Sequence, residues 1–257
     1  MATLEHTHTK DAPSAKQRMA FFDVLRGFSV ISMTLFHLCY DLRFLYGFDL
    51  TFFRPPFQDI WRASISWAFL FIAGCMCSFS RDGLKRASRY LLAALAIFVV
   101  TSVVAVDTPI NFGIIFCMGA CTLIEYLLQK AQASPEGWPI GLILFLIFIV
   151  LRGVPLGYIG LFGQTIVLPR WLYATPYLSF LGFPGPNFAS GDYYPVIPFV
   201  FMYLTGTAFG RMWRKEGYPA WFQGISCRPL EWVGQHALPI YILHQPAILG
   251  ILSVLLP

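Results

Sequence analysis

The chain reads as an all-α integral membrane protein with about seven transmembrane helices. Three observations predict this class. Of its 257 residues, 57% are hydrophobic and 12% charged, about half the charged share of a soluble domain, and the mean hydropathy is +0.63. The apolar residues run in long blocks, most of them near the ~20 residues that a helix needs to cross hydrocarbon, instead of as amphipathic stripes. The basic residues collect between alternate blocks, as membrane topology requires.

Residues 1–19, MATLEHTHTKDAPSAKQRM, form a polar tail with too little apolar surface to fold, so His6 and His8 are expected to be solvated. No short apolar core precedes an A-x-A site, so the first block is expected to stay as a span instead of being cleaved as a signal peptide. The blocks run over 20–42, 60–80, 88–106, 110–128, 138–152, 194–211 and 232–256. The fifth is short and ends at Arg152-Gly153. No internal repeat, low-complexity tract or soluble second domain is visible, so 20–257 reads as a single membrane domain.

Orientation follows from Lys and Arg. Lys10, Lys16 and Arg18 precede the first block; Arg81, Lys85, Arg86 and Arg89 follow the second; Lys130 follows the fourth; Arg211, Arg214, Lys215 and Arg228 follow the sixth. The other connections carry only Arg43, Arg54, Arg152 and Arg170. Twelve against four predicts a cytoplasmic N-terminus and, with seven spans, a C-terminus outside. The longest connection, 153–193, then faces outward. It is rich in Gly, Pro and aromatics, among them Tyr158, Phe162, Trp171, Tyr173, Tyr177, Phe180, Phe183 and Phe188. Such a loop suits the faces of sugar rings or an interfacial aromatic belt, and the sequence leaves both open.

A net charge of +5 without a continuous basic patch gives no sign of nucleic-acid binding. The six cysteines, Cys39, Cys75, Cys77, Cys117, Cys121 and Cys227, show neither a CxxC pair nor a metal-ligand spacing and read as small packing residues. No metal is expected.

The candidate chemistry begins in the first block, FFDVLRGFSVISMTLFHLCYDL. Arg26 and His37 are eleven residues apart, three helical turns, so they share a face about 16 Å apart along the axis. Ionisable groups inside a span are costly unless they face protein, water or ligand. Arg26 could hold a phosphorylated ligand bidentately or pair with Asp23, and these readings can coexist. His37 could act as base or acyl acceptor, with Asp41 one turn on to orient its ring; the alternative is a buried histidine that only bonds a neighbouring helix. In the last block, His244, Gln245 and Pro246 make a polar site at membrane depth, since proline frees a backbone carbonyl there. A structural contact between helices explains them equally well. His236, nearer the start of the block, reads as structural or interfacial. Asp192, ahead of the sixth block, could cap that helix or serve an acceptor as base or hydrogen-bond partner.

Together these segments resemble a known family. An Arg, ten residues and a His mark the first span of membrane acyltransferases. The D-x-L-R-G run at 23–27, H-x-x-x-D at 37–41, S-x-D-Y-Y-P-x-x-P at 190–198 and I-Y-x-x-H-Q-P at 240–246 are similar to short bacterial members of the heparan-α-glucosaminide N-acetyltransferase-like family. The resemblance implies acetyl transfer from cytosolic acetyl-CoA to a sugar or amino-sugar acceptor, on the outer side of a bacterial inner membrane. It implies His37, Asp41 and Asp192 as catalytic residues and Arg26, His244 and Gln245 as donor-binding residues. His37 would be either the acyl acceptor or the general base. An apolar outer surface fits lipid or a second copy of the chain equally.

Two other functions remain open on the residues alone. Intramembrane Arg, His and Asp also mark transporters of ions or small molecules, although no inverted repeat or matching broken helices are seen. A noncatalytic scaffold explains the aromatics but not the alignment of Arg26 with His37.

Overall fold

The computed structural model describes residues 20–80, 82–161 and 163–256. The tail with His6, His8, Lys10, Lys16 and Arg18, together with Arg81 and Phe162, lies outside the described residues. Every apolar block forms helix: α1 Ala20–Phe44, α2 Phe57–Cys75, α3 Gly83–Val104, α4 Ile114–Lys130, α5 Trp138–Leu151, α6 Val196–Glu216, the short α7 Ala220–Gln223 and α8 Arg228–Gln235, and α9 Ala237–Leu255. Among the described residues, five segments are long and apolar enough to cross a membrane: α1, α2 with the 3-10 turn after it, α3, α5 extended to Leu156, and α9.

The two remaining long helices fall short for identifiable reasons. Helix α4 has 17 residues, about 25 Å, less than the ~30 Å hydrocarbon core. Helix α6 ends in Arg211, Arg214, Lys215 and Glu216 and carries Thr205 and Thr207 within. It sits at the centre of the bundle, packed on α2, α4 and α5, so Thr205 and Thr207 face protein, while Arg214, Lys215 and Glu216 at its end are exposed. Gly74 and Gly206 let it approach α2: a Cβ on Gly74 would lie 1.9 Å from the Tyr203 carbonyl oxygen, and one on Gly206 2.0 Å from that of Phe71. Small residues at such crossings let backbones meet where water offers no hydrophobic drive. By contrast, α3 buries only Ala87 and exposes Leu92, Leu95, Val99 and Val103, an outer face suited to lipid.

The last apolar block is not one helix. It breaks at His236, whose backbone (φ −105°, ψ 22°) leaves the helical region, and the strongly amphipathic α8 turns to lie along α1. Contact is backbone to backbone: a Cβ on Gly27 would meet the Leu230 oxygen at 2.0 Å, and one on Gly234 the Asp23 oxygen at 1.9 Å.

The all-α expectation also needs correction in the long connection. Strands β1 Tyr158–Leu161 and β2 Gln164–Val167 pair antiparallel, Tyr158 opposite Val167 and Leu161 opposite Gln164, with Gly163 at φ +83° in the turn, a conformation that glycine adopts without strain. Beyond the hairpin the connection is tied down by its aromatics. The Tyr173 hydroxyl donates to the Val154 carbonyl at 2.5 Å and the Tyr193 hydroxyl to that of Ser179 at 2.6 Å. Phe188 stacks on Phe112 with centroids 6.0 Å apart. Trp171 and Tyr177 stay exposed.

Candidate active site

The polar residues of α1 and α9 meet. The His37 and His244 rings lie 4.9 Å apart, centroid to centroid, tilted by 59°. One helical turn on, the Gln245 amide donates to both oxygens of Asp41, at 3.0 and 2.9 Å. Asp41 is buried, so a neutral amide bonding its two oxygens removes most of the penalty of an unpaired carboxylate. The expected role of Asp41 therefore changes: its hydrogen-bond partner among the described residues is Gln245 across the interface, not the His37 ring on its own helix.

The tautomer of His244 follows from its neighbour. Its Nδ1 is 2.5 Å from the Tyr241 carbonyl oxygen. A carbonyl can only accept, so Nδ1 carries the hydrogen and donates it, and Nε2 is left with a lone pair. That Nε2 is buried and has no hydrogen-bond partner among the described residues, and the same holds for Oε1 of Gln245. Two adjacent residues on α9 thus each hold one unmatched acceptor atom at the face turned to α1. Buried polar atoms without partners are uncommon in folded proteins, and such atoms suit a ligand that brings N–H or O–H groups.

Asp192 joins this site from the long connection. The segment 190–194 pairs with 109–113: the Ser190 hydroxyl donates to the Asn111 carbonyl at 2.8 Å and accepts from the Asn111 N–H at 2.9 Å, and the Tyr194 N–H donates to the Phe112 carbonyl at 2.9 Å. Asp192 then accepts the Ile114 N–H at 3.0 Å. It caps α4, not the sixth helix that follows it, an arrangement that local sequence spacing cannot reveal. Its carboxylate also faces the Tyr241 hydroxyl and the Arg62 guanidinium. Burial pushes the Asp192 carboxyl above the usual carboxylate range, against the opposing pull of the Ile114 N–H and Arg62.

Arg26 marks the other end. It pairs with Asp23 at 3.0 Å and donates to the Gly234 carbonyl at 3.3 Å, while Gln235 reaches Asp23 at 3.4 Å. Arg26 is therefore both a latch between α1 and α8 and part of a cavity wall. A narrow cavity of about 60 Å³ is lined by Arg26, Arg86, Ala73, Met118, Ile114 and Tyr241. Arg86 donates to the Ala73 carbonyl at 2.9 Å. The cavity has two guanidinium groups among its lining and, as well, Tyr241 and Ile114, both in contact with Asp192. Sequence reading missed Arg86, which looked like one more topology charge, and Tyr241, which lay unremarked inside the I-Y-x-x-H-Q-P run. His236 takes no part; its Nδ1 bonds the Trp232 carbonyl at 2.8 Å on an exposed turn.

Arginines on a cavity wall, paired imidazoles and unmatched acceptors are the parts an acyl transfer needs: anion binding, proton transfer and acceptor alignment. No curated protein and no solved structure matches the chain. Residues 18–246 match the family described as heparan-alpha-glucosaminide N-acetyltransferase, catalytic. That span holds Arg26, His37, Asp41, Asp192, His244 and Gln245, and its apolar helices mark a multi-pass integral membrane protein. The chain belongs to the heparan-α-glucosaminide N-acetyltransferase catalytic family.

Proposed function

We propose that this protein transfers an acetyl group from acetyl-CoA to the amine or hydroxyl of a sugar or amino sugar. The observation that carries the reading is the meeting of His37 and His244 at 4.9 Å, with the His244 Nε2 lone pair and the Gln245 Oε1 both unmatched. The donor enters from the side of the Lys- and Arg-rich connections, in the cytosol, and lies along the cavity that Arg26 and Arg86 line. The acceptor comes from the opposite side, past Asp192. The membrane is the plasma membrane of a bacterial cell.

The proton bookkeeping fits these groups. The acceptor N–H or O–H is held by His244 Nε2 and Gln245 Oε1, and its lone pair attacks the thioester carbonyl carbon. The C–S bond breaks, the acceptor proton goes to an imidazole, and that imidazole returns it to the leaving thiolate. His37 supports either of two sequences: it takes this proton in a direct transfer, or its nitrogen first carries the acetyl group and then passes it on. Asp41, locked by Gln245, keeps α1 and α9 in register so that the two rings stay in reach.

The test is acetyl transfer from radiolabelled acetyl-CoA by the purified protein in detergent, screened over hexosamines and neutral sugars. His37→Ala and His244→Ala are expected to remove turnover while the protein elutes as a folded species. Wild-type turnover in a folded His37→Ala protein refutes the mechanism, and uptake of a solute into sealed vesicles without any acyl donor refutes the enzyme reading altogether.

A further inference from the structure

A second and larger cavity lies apart from the imidazole pair. Its volume is about 680 Å³, and Arg211, Arg214 and Lys215 at the end of α6 line it together with Glu136, Gln129 and Ser134. That size falls in the range of small-molecule sites. Glu136 pairs with Arg211 at 3.5 Å and Lys215 at 2.9 Å. The hydrogen bond from Lys215, with both charges close by, holds Glu136 below the usual carboxylate range, so it is ionised at neutral pH. Among the described residues that line it, three cations against one carboxylate leave the cavity positive, and the buried Nε of Arg211 has no hydrogen-bond partner among them.

We infer that this cavity binds the phosphorylated nucleotide end of the acyl donor, a reading that rests on the proposed acetyl transfer. The narrow cavity by Arg26 and Arg86, about 60 Å³, is too small for a nucleotide but admits an extended arm. Cys77 stands between the two spaces. It lines the larger cavity and has Glu125, Arg86 and Arg211 as charged neighbours. Phosphates at Arg211, Arg214 and Lys215 therefore place an arm at Cys77 and Arg86, heading for Tyr241. Lipid headgroups share the phosphate chemistry, but the polar wall favours a nucleobase. Buried Glu125 takes a hydrogen from Gln129 at 3.1 Å and from Ser134 at 2.8 Å. The Gln129 carbonyl and the Ser134 lone pairs then remain as acceptors for an exocyclic amino group.

The experiment is calorimetric titration of the purified full chain with adenosine 3′,5′-bisphosphate, which carries the nucleotide but no thioester. Arg211→Gln is expected to weaken binding about 10- to 100-fold, the worth of a charge-assisted hydrogen bond. Glu136→Gln is expected to tighten it, a direction that misfolding does not produce. In the transfer assay, KM for acetyl-CoA rises in Arg211→Gln toward that of S-acetylpantetheine, so the preference for the full donor collapses. Absence of nucleotide binding by wild type, or insensitivity to both substitutions, overturns the inference. So does an anionic phospholipid that copurifies with wild type, is lost in Arg211→Gln and is not displaced by the nucleotide. Nucleotide binding with the expected pattern but no acetyl transfer to any acceptor leaves this site standing and removes the proposed activity. Transfer with equal wild-type KM for both donors does the reverse.

Discussion

Replacing Gly27 by Ala tests how α1 is held. The added Cβ would sit 2.0 Å from the Leu230 carbonyl oxygen, about 1.3 Å inside the ~3.3 Å at which carbon and carbonyl oxygen normally meet. Both atoms belong to backbone, so neither can swing aside, and α8 must move away from α1. That motion lengthens the Arg26 bond to Gly234, now 3.3 Å, and the Gln235 bond to Asp23, now 3.4 Å. Overpacking costs ~1–3 kcal/mol and the weakened bonds ~1 kcal/mol more. Alanine returns ~1 kcal/mol through helix propensity. A net loss of about 1–3 kcal/mol lowers Tm by roughly 2–12 °C in a chain of this size. The control is Gly250→Ala on α9, where a Cβ meets nothing within 4 Å and propensity alone favours the variant. The assay is thermal unfolding in detergent followed by tryptophan fluorescence. Equal Tm for the two variants would refute the reasoning that α1 and α8 touch backbone to backbone.

Other outcomes are equally specific. His37→Asn, which keeps a hydrogen-bonding group but cannot shuttle a proton, should lower kcat about 10²- to 10⁴-fold; steady-state kinetics at saturating donor decides it. Gln245→Leu leaves the buried Asp41 carboxylate without its amide and should destabilise the fold by about 1–3 kcal/mol, with Asp41→Asn in the same chain recovering part of the loss in a double-mutant cycle. Asp192 carries a pH signature. Its carboxyl is raised by burial in the folded state, so the folded protein holds that proton more tightly than the unfolded chain. The stability it contributes is complete below the unfolded value near pH ~4 and is lost as pH rises toward the raised folded value. Asp192→Asn should flatten that slope in a series of Tm measurements across mildly acidic pH.

The first helix was readable because the helical period is enough to place Arg26, His37 and Asp41 on one side. The block pattern anticipated the long helices for the same reason: hydropathy reports on solvent, and these helices face lipid or each other. Other features depend on partners distant in sequence. Asp41 binds Gln245 across 204 residues, and no local spacing encodes that. The break at His236 is weak in hydropathy but carries a local signal: Pro239 lacks the N–H that a continuous helix would bond to the Gln235 carbonyl. The close fit of Gly234 against Asp23 on another helix accompanies it. Arg86 was hidden by its company, one cation in a run of cations that topology already explained. The hairpin at 158–167 was legible in principle, with β-branched Ile159, Thr165, Ile166 and Val167 on either side of Gly163, but the glycine, proline and aromatic content of the whole connection favours a loop reading.

The bond between Asp192 and the first N–H of α4 spans 78 residues, and this has a consequence for biogenesis. During synthesis the start of α4 is made long before its cap, so the helix must enter the bilayer with that end unfinished. Completion waits for the α5 segment, the hairpin and the whole aromatic connection to be translated. Asp192 and Tyr241 come together only after α9 has been inserted, with the chain nearly finished. The contact among the start of α4, the long connection and α9 thus forms last.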